Sequence, residues 1–353
     1  PQAEKTQYIL LAFDKNVTEE EIKTNPLKEI GYNDDEINII ETMSTNTIEY
    51  FKNNEYNSNY ITLLNNNNFV DNNFENYINL MNNSDYSIDD VLYVVNNNYY
   101  DNNITYDENT LSLMKSKYYI HNNLNKYLNY KNNANKNFNT DEELNNYVIT
   151  SINSMLDNPF YQNTVKSDLS KGYLVIVNKY HYLDSDYVPE NLVTASSTYG
   201  YALPIEKTTY EAFINMYNDA LKVGLNLSIL SPYRSYSTQV SLYNRYASKD
   251  GKALADTYSA RAGYSEHQTG LAIDISRRGG NLGGFGSTNE FKWLKDNSYK
   301  YGFILRYPQG KEWITGYQYE PWHYRYVGVE VATKIYNENI TFEEYYANYV
   351  EKN

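Results

Sequence analysis

From Ser265 to Asp274 the chain reads Ser-Glu-His-Gln-Thr-Gly-Leu-Ala-Ile-Asp, and from Glu320 to His323 it reads Glu-Pro-Trp-His. Together these two short runs constrain the fold more than anything else in the sequence. The gap between His267 and Asp274 contains Gly270 and runs into an apolar, strand-like segment. Strand alternation turns Ile273 and Ile275 to one face and Asp274 to the other. An acid between two apolar strand residues is costly to bury unless it is paired or bound to a cation. A lone histidine is more often structural, but here a second imidazole, His323, arrives with its own acid, Glu320, three residues upstream. Two imidazoles, one carboxylate and a spare glutamate are the parts of a catalytic zinc site, where three protein ligands leave a fourth position for water. On an extended segment Glu320 can lie over a metal held by His323 and act as general base. Its competing assignment is a surface salt bridge with Arg325.

The rest of the composition narrows the field. The 353 residues suit about two domains. A net charge of −14 argues against nucleic acid and against an anionic membrane surface. With no cysteine, thiolate ligands and disulfides are absent, so any zinc must be held by His and carboxylate. No apolar run approaches the length of a membrane span. The opening PQAEKTQ lacks the basic and apolar regions of a signal peptide.

Residues 1–163 are rich in Asn, Tyr, Asp and Glu. They carry apolar clusters at helical spacing, such as Ile37, Ile40 and Met43, or Ile78 and Met81. Tyr56 to Tyr86 and Phe69 to Tyr99 are steps of roughly thirty residues, a period that suits helix-turn-helix units stacked to bury one face. The expectation is an all-α, repeat-like region serving as a spacer or a substrate-positioning module. His121 has no acidic or histidine neighbour at ligand spacing and reads as an ordinary surface or core histidine.

The composition changes from about residue 164, and 164–353 reads as the catalytic domain. GYLVIVNKYHYL (172–183) looks like a buried strand. A helix follows with Tyr210, Phe213, Ile214, Tyr217 and Leu221 on one face. Thr208 or Thr209 is its expected cap and Gly224 its stop. Further strands are expected near Leu227–Leu230, in LAIDIS, in YGFILRYP and in WHYRYVG. A second helix is expected from near Ser237, another capped by Ser287 with Glu290, and two more at the C-terminus. Strands and helices mix without regular βαβ alternation, which gives the class α+β. RRGGNLGGFG lacks the Lys-Ser/Thr and the context of a phosphate loop.

The pattern S-x-H-x-x-G-x-A-x-D followed by E-x-W-H resembles the VanY-like zinc D-alanyl-D-alanine carboxypeptidases and their L,D-carboxypeptidase relatives. The likeness extends through SPYRSYSTQ, YSARAGYSEHQTGLAIDIS and EPWHYRYVG, covering roughly residues 164–328. It implies a small antiparallel sheet flanked by helices, of the hedgehog-like type, with Zn²⁺ as cofactor. By position it implies His267, Asp274 and His323 as zinc ligands and Glu320 as base. Arg234 then matches the arginine that holds a substrate carboxylate or steadies the oxyanion. Gln239 and Ser265 match positions lining the terminal-residue pocket, and Tyr307 a hydroxyl donor. Ala262-Gly263-Tyr264 departs from the Pro-Gly-His or Pro-Gly-Phe of relatives, which touches the pocket rather than the ligands.

The function this implies is removal of the C-terminal D-alanine from peptidoglycan stem peptides, outside the cell or at its wall. The alternative is an L,D-carboxypeptidase acting on tetrapeptide stems. An endopeptidase and a non-catalytic wall-binding protein are the remaining readings.

Overall fold

A computed structural model of the chain describes residues 25–83, 85–134 and 136–351. The opening heptapeptide read above for targeting signals lies outside them. The chain divides into two compact units, 1–111 and 112–353. The change of composition near 163 falls inside the second unit.

Among the described residues, everything up to Asn153 is helical or turn. Side chains of the neighbouring Asn, Ser and Thr residues cap these short helices: Asn33 forms a capping box with Glu36, and Ser44 and Ser87 accept from backbone N–H groups. The thirty-residue step relates helix Ser58–Leu64 to helix Ile88–Asn96. A stricter repetition also emerges. The Asn96 carboxamide accepts from Tyr77 Oη and Asn73 Nδ2 and donates to the Asn68 carbonyl at 2.8 Å. Asn153 does the same with Tyr127, Asn123 and the Tyr118 carbonyl at 3.0 Å. Much of the asparagine therefore works as local cap and clamp, replacing backbone partners that short helices leave unsatisfied. His121 is hydrogen-bonded to Tyr119 Oη at 3.0 Å.

The α+β architecture is present in the second unit. Two short pairs come first: β1 (Val165–Lys166) runs parallel to β2 (His181–Tyr182), and β3 (Leu192–Thr194) antiparallel to β4 (Pro204–Glu206). The central sheet is fully antiparallel. Its strands are β5 (Leu227–Ser231), β6 (Ala272–Arg277), β7 (Phe303–Leu305) and β8 (His323–Tyr326), in the order β5-β6-β8-β7. One face buries Ile229, Ile273, Ile275, Phe303 and Tyr324 against Phe213, Met216 and Ala220 of helix Lys207–Lys222 and Leu294 of helix Asn289–Asn297. The opposite face carries Asp274, His323 and Arg325. Beside it, Ile304 packs on Ile335 and Phe342 of the C-terminal helices.

Several local expectations are corrected. Residues 172–183 are not one buried strand: Gly172 and Tyr173 are exposed in the 3₁₀ turns of Leu169–Leu174, 175–181 is buried, and only His181–Tyr182 pairs as strand. An apolar run reports burial, and periodicity alone cannot say whether its backbone is laddered. Glu206, rather than Thr208 or Thr209, caps helix Lys207–Lys222, accepting from the Thr209 N–H at 2.8 Å. The buried stripe of that helix includes Met216 and Ala220, while Leu221 is exposed. Thr288, one residue beyond Ser287, caps helix Asn289–Asn297.

Candidate metal centre and active site

Asp274 and His323 are direct cross-strand partners in the β6–β8 register, which is why residues far apart in sequence share one point on the sheet. His267 reaches the same point from a 3₁₀ turn, Glu266–Thr269, that ends at Gly270 with φ 71°. A Cβ at Gly270 would lie 3.1 Å from Glu206, so both conformation and space call for glycine. Two hydrogen bonds, one in each direction, tie this turn to the 232–234 loop. His267 Nδ1 donates to the Pro232 carbonyl at 2.7 Å, and the Arg234 N–H donates to the His267 carbonyl at 3.0 Å.

The first of these bonds fixes the His267 tautomer and leaves Nε2 facing Asp274 Oδ2 at 3.5 Å. His323 is oriented the other way round. Its Nε2 is 3.3 Å from Glu266 Oε2, so Nδ1 faces Asp274 Oδ1 at 3.3 Å and Glu320 Oε2 at 3.6 Å. One donor atom from each of His267, Asp274 and His323 lies within 4.8 Å of the others, and all three residues are buried. Asp274 Oδ1 is buried without a hydrogen-bond partner. Two imidazole lone pairs and an unsatisfied carboxylate oxygen, each ring held from behind by an acceptor, fit a dication of zinc's preferences.

The electrostatics agree. Burial alone would raise the Asp274 carboxyl, but the two imidazoles hold it well below the usual carboxylate range. Burial would likewise depress His323, but the Asp274 and Glu266 carboxylates beside its ring lift it to about 9. His267 is lowered, by burial first and by Arg234 next. Burial pushes the Glu320 carboxyl up to about 8. The Asp274 and Glu320 carboxylates converge here on the two imidazoles, while Glu266 is paired with Arg306 and Arg325. A dication would favour the charged form of each acid and the neutral form of each imidazole.

The remaining expected residues line the same 390 Å³ cleft: Arg234, Gln239, Ser265, Tyr307 and Glu320, with Tyr317 and Trp322 among its walls. Glu320 is not bridged to Arg325, which is fully buried and donates to Glu266 instead. Arg234 is held at both terminal nitrogens, by Gln239 Oε1 at 2.8 Å and Ser231 Oγ at 2.9 Å. Its nearest carboxylate is Asp274, 3.8 Å away. Gln239 in turn donates to the Ala260 carbonyl at 2.6 Å, so it aims the guanidinium rather than lying free. The Tyr307 ring lies tilted against His323, with centroids 4.8 Å apart, and burial keeps its hydroxyl protonated.

Glu266, to which the sequence alone assigned no role, accepts from Arg306 Nε at 2.7 Å and Arg325 Nη1 at 2.9 Å while meeting His323. One signal was available. Arg325 lies two residues from His323 on a strand, so alternation puts both on one face, and a buried arginine there requires an acid.

Such a site, on such a sheet, defines a metal-dependent peptidase of the carboxypeptidase type. The family model described as VanY, D-alanyl-D-alanine carboxypeptidase, matches residues 203–329. YodJ of Bacillus subtilis, named as an inferred carboxypeptidase, is 42% identical over 184 residues, covering 50% of this chain and 67% of the relative. The D-alanyl-D-alanine carboxypeptidase of Enterococcus faecalis is 38% identical over 191 residues, 51% of this chain and 68% of the relative. Among solved structures, the LdcB LD-carboxypeptidase matches with a TM-score of 0.50 at 40% identity, over 53% of this chain and 91% of that one. The chain belongs to the VanY family, and it is an enzyme of the zinc metallopeptidase class. Among the described residues, no helix is long and apolar enough to cross a membrane.

Proposed function

We propose that the protein removes the C-terminal D-alanine from peptidoglycan stem peptides, with zinc held by His267, Asp274 and His323. The observation that carries this reading is the buried Asp274 carboxylate, one oxygen of it without a hydrogen-bond partner, between two pre-oriented imidazoles, with Glu320 alongside and Arg234 in the same cleft. When bound, zinc supplies Lewis-acid polarisation of the scissile carbonyl and makes water a better nucleophile. Glu320 takes the proton of the attacking water on a carboxylate oxygen. As the C–N bond breaks, Glu320 delivers that proton to the departing D-alanine amine. Arg234, held in place by Gln239 and Ser231, pairs with the substrate's terminal carboxylate. Ser265 and Tyr307 contribute hydroxyls to the wall of the terminal-residue pocket. The substrate assigns the protein to the cell wall or the extracellular space. Residues 164–353 form the catalytic domain on this reading, with 1–163 as a helical spacer or wall-binding region.

The likeness to the LdcB LD-carboxypeptidase supports a second reading, hydrolysis of tetrapeptide stems by the same residues. Mass spectrometry of synthetic penta- and tetrapeptide stems, with and without a chelator, separates the two. Chelator-sensitive loss of one alanine from the pentapeptide alone is the expected result. Loss from the tetrapeptide alone selects the L,D-reading, and cleavage of neither removes both.

Arg234 makes a distinct prediction. Arg234→Ala should raise KM for a free-acid pentapeptide by about tenfold or more, the scale of one charge-assisted bidentate contact. A C-terminally amidated peptide should be handled poorly by both proteins. Wild-type turnover of the amidated peptide at the free-acid rate would remove the carboxylate-binding role.

A further inference from the structure

The match to the family ends at residue 329, but the hydrogen bonds that orient His323 continue past it. His323 Nε2 meets Glu266 Oε2 at 3.3 Å, and Glu266 Oε1 accepts from Arg306 Nε at 2.7 Å and Arg325 Nη1 at 2.9 Å. Arg306 then spends its two terminal nitrogens on Glu343, at 2.8 and 2.6 Å. Glu343 lies in the C-terminal helix Phe342–Tyr345, whose start is fixed by a Thr341–Glu344 capping box. A further bond, from Asn178 Nδ2 at 3.3 Å, holds the Glu343 carboxylate from the other side. Arg306 and Arg325 are fully buried, and Glu266 and Glu343 are 1% and 4% exposed. Two acids and two guanidiniums therefore balance out of contact with water.

The geometry leaves Arg306 no slack. Its Nε–H serves Glu266, and both terminal groups serve Glu343. With Glu343 neutral, the charges of Arg306 and Arg325 converge on one remaining carboxylate, Glu266. Arg306 then gains by turning its fork onto Glu266, which draws Oε2 away from His323 Nε2. The ring loses the acceptor that keeps Nδ1 pointed at Asp274, and groups in that position tune both ligand orientation and basicity. We propose that Glu343, acting through Arg306 and Glu266, is a positioning residue for His323. The inference rests on the reading of His323 as a zinc ligand, and it brings the C-terminal helix into the metal site's architecture.

The test is zinc affinity of the full chain, measured by competition with a chromophoric chelator, for wild type, Glu343→Gln, Glu343→Asp and Ile335→Ala. Outer hydrogen-bond partners of metal ligands typically change metal affinity by about 10- to 100-fold. Glu343→Gln should therefore weaken zinc binding about tenfold while KM for the pentapeptide changes little. Glu343→Asp, which keeps the charge, should show an intermediate loss and keeps the test alive if the Gln variant does not fold. Ile335→Ala loosens the same C-terminal core without touching a charge. It should lower the melting temperature and leave zinc affinity alone. Wild-type affinity in both Glu343 variants would overturn the proposal, as would an equal loss in Ile335→Ala. Failure of the wild type to bind zinc would instead remove the metal reading on which the proposal rests.

Discussion

Glu320→Gln retains zinc and loses turnover. The substitution keeps the side chain's size but removes its ability to carry a proton from water to the leaving amine. A positioned general acid-base residue contributes about 10²- to 10⁴-fold, and here one group performs both transfers, so a fall of about 10³-fold or more in kcat is expected. KM should move far less, because Glu320 meets the developing charge rather than the bound peptide. Zinc content should stay at the wild-type level, since the donor triad does not include Glu320. Alanine release from the pentapeptide, followed by mass spectrometry beside a colorimetric zinc assay, reads both quantities. A Glu320→Gln protein that turns over normally sinks the base assignment, and one that loses its zinc makes Glu320 a ligand.

His323→Ala should lose the metal, and activity with it. It removes one of three donors and leaves Asp274 and Glu266 facing a hole without the group that pairs them. The effect extends to stability. A ligand that binds only the folded state at about 1,000 times its dissociation constant stabilises it by about 4 kcal/mol. For a domain of roughly 150–250 residues each kcal/mol moves Tm by about 2–4 °C, so chelation should lower the wild-type Tm by about 10 °C. The His323→Ala melting curve should be the same with zinc or with chelator. Differential scanning calorimetry under both conditions decides the matter. A zinc-dependent Tm that survives in His323→Ala would place the metal elsewhere. Asp274→Asn should behave the same way, since an amide oxygen is a far weaker partner for a dication than a carboxylate.

Much of this site is legible in the sequence. Asp274 between two isoleucines, and a histidine with its acid three residues upstream, are anomalies that chemistry has to explain, and both sit in the cleft. The four sheet strands were legible too, as short runs of apolar and aromatic residues. The misreadings have local causes. Residues 175–180 are buried without a ladder, and the helix caps moved by a residue or two because several Ser, Thr and Glu side chains compete for the same N–H groups. Gln239 lies in the cleft, and its hold on Arg234 goes with a bond to a backbone carbonyl, Ala260, that no sequence pattern marks.

The sequence by itself determined the chemistry: the donor types, the missing thiols that leave zinc only imidazole and carboxylate, and the α+β class. Side-chain type and short-range periodicity carry that information. Only the tertiary structure decided which nitrogen of each histidine faces Asp274, and that Glu266, Arg306, Arg325 and Glu343 form one buried charge-balanced cluster behind His323. Those partners lie 37 to 59 residues apart. Their pairing follows from strand order and from where the C-terminal helix packs, and burial of the whole cluster is what forces each charge to find its opposite.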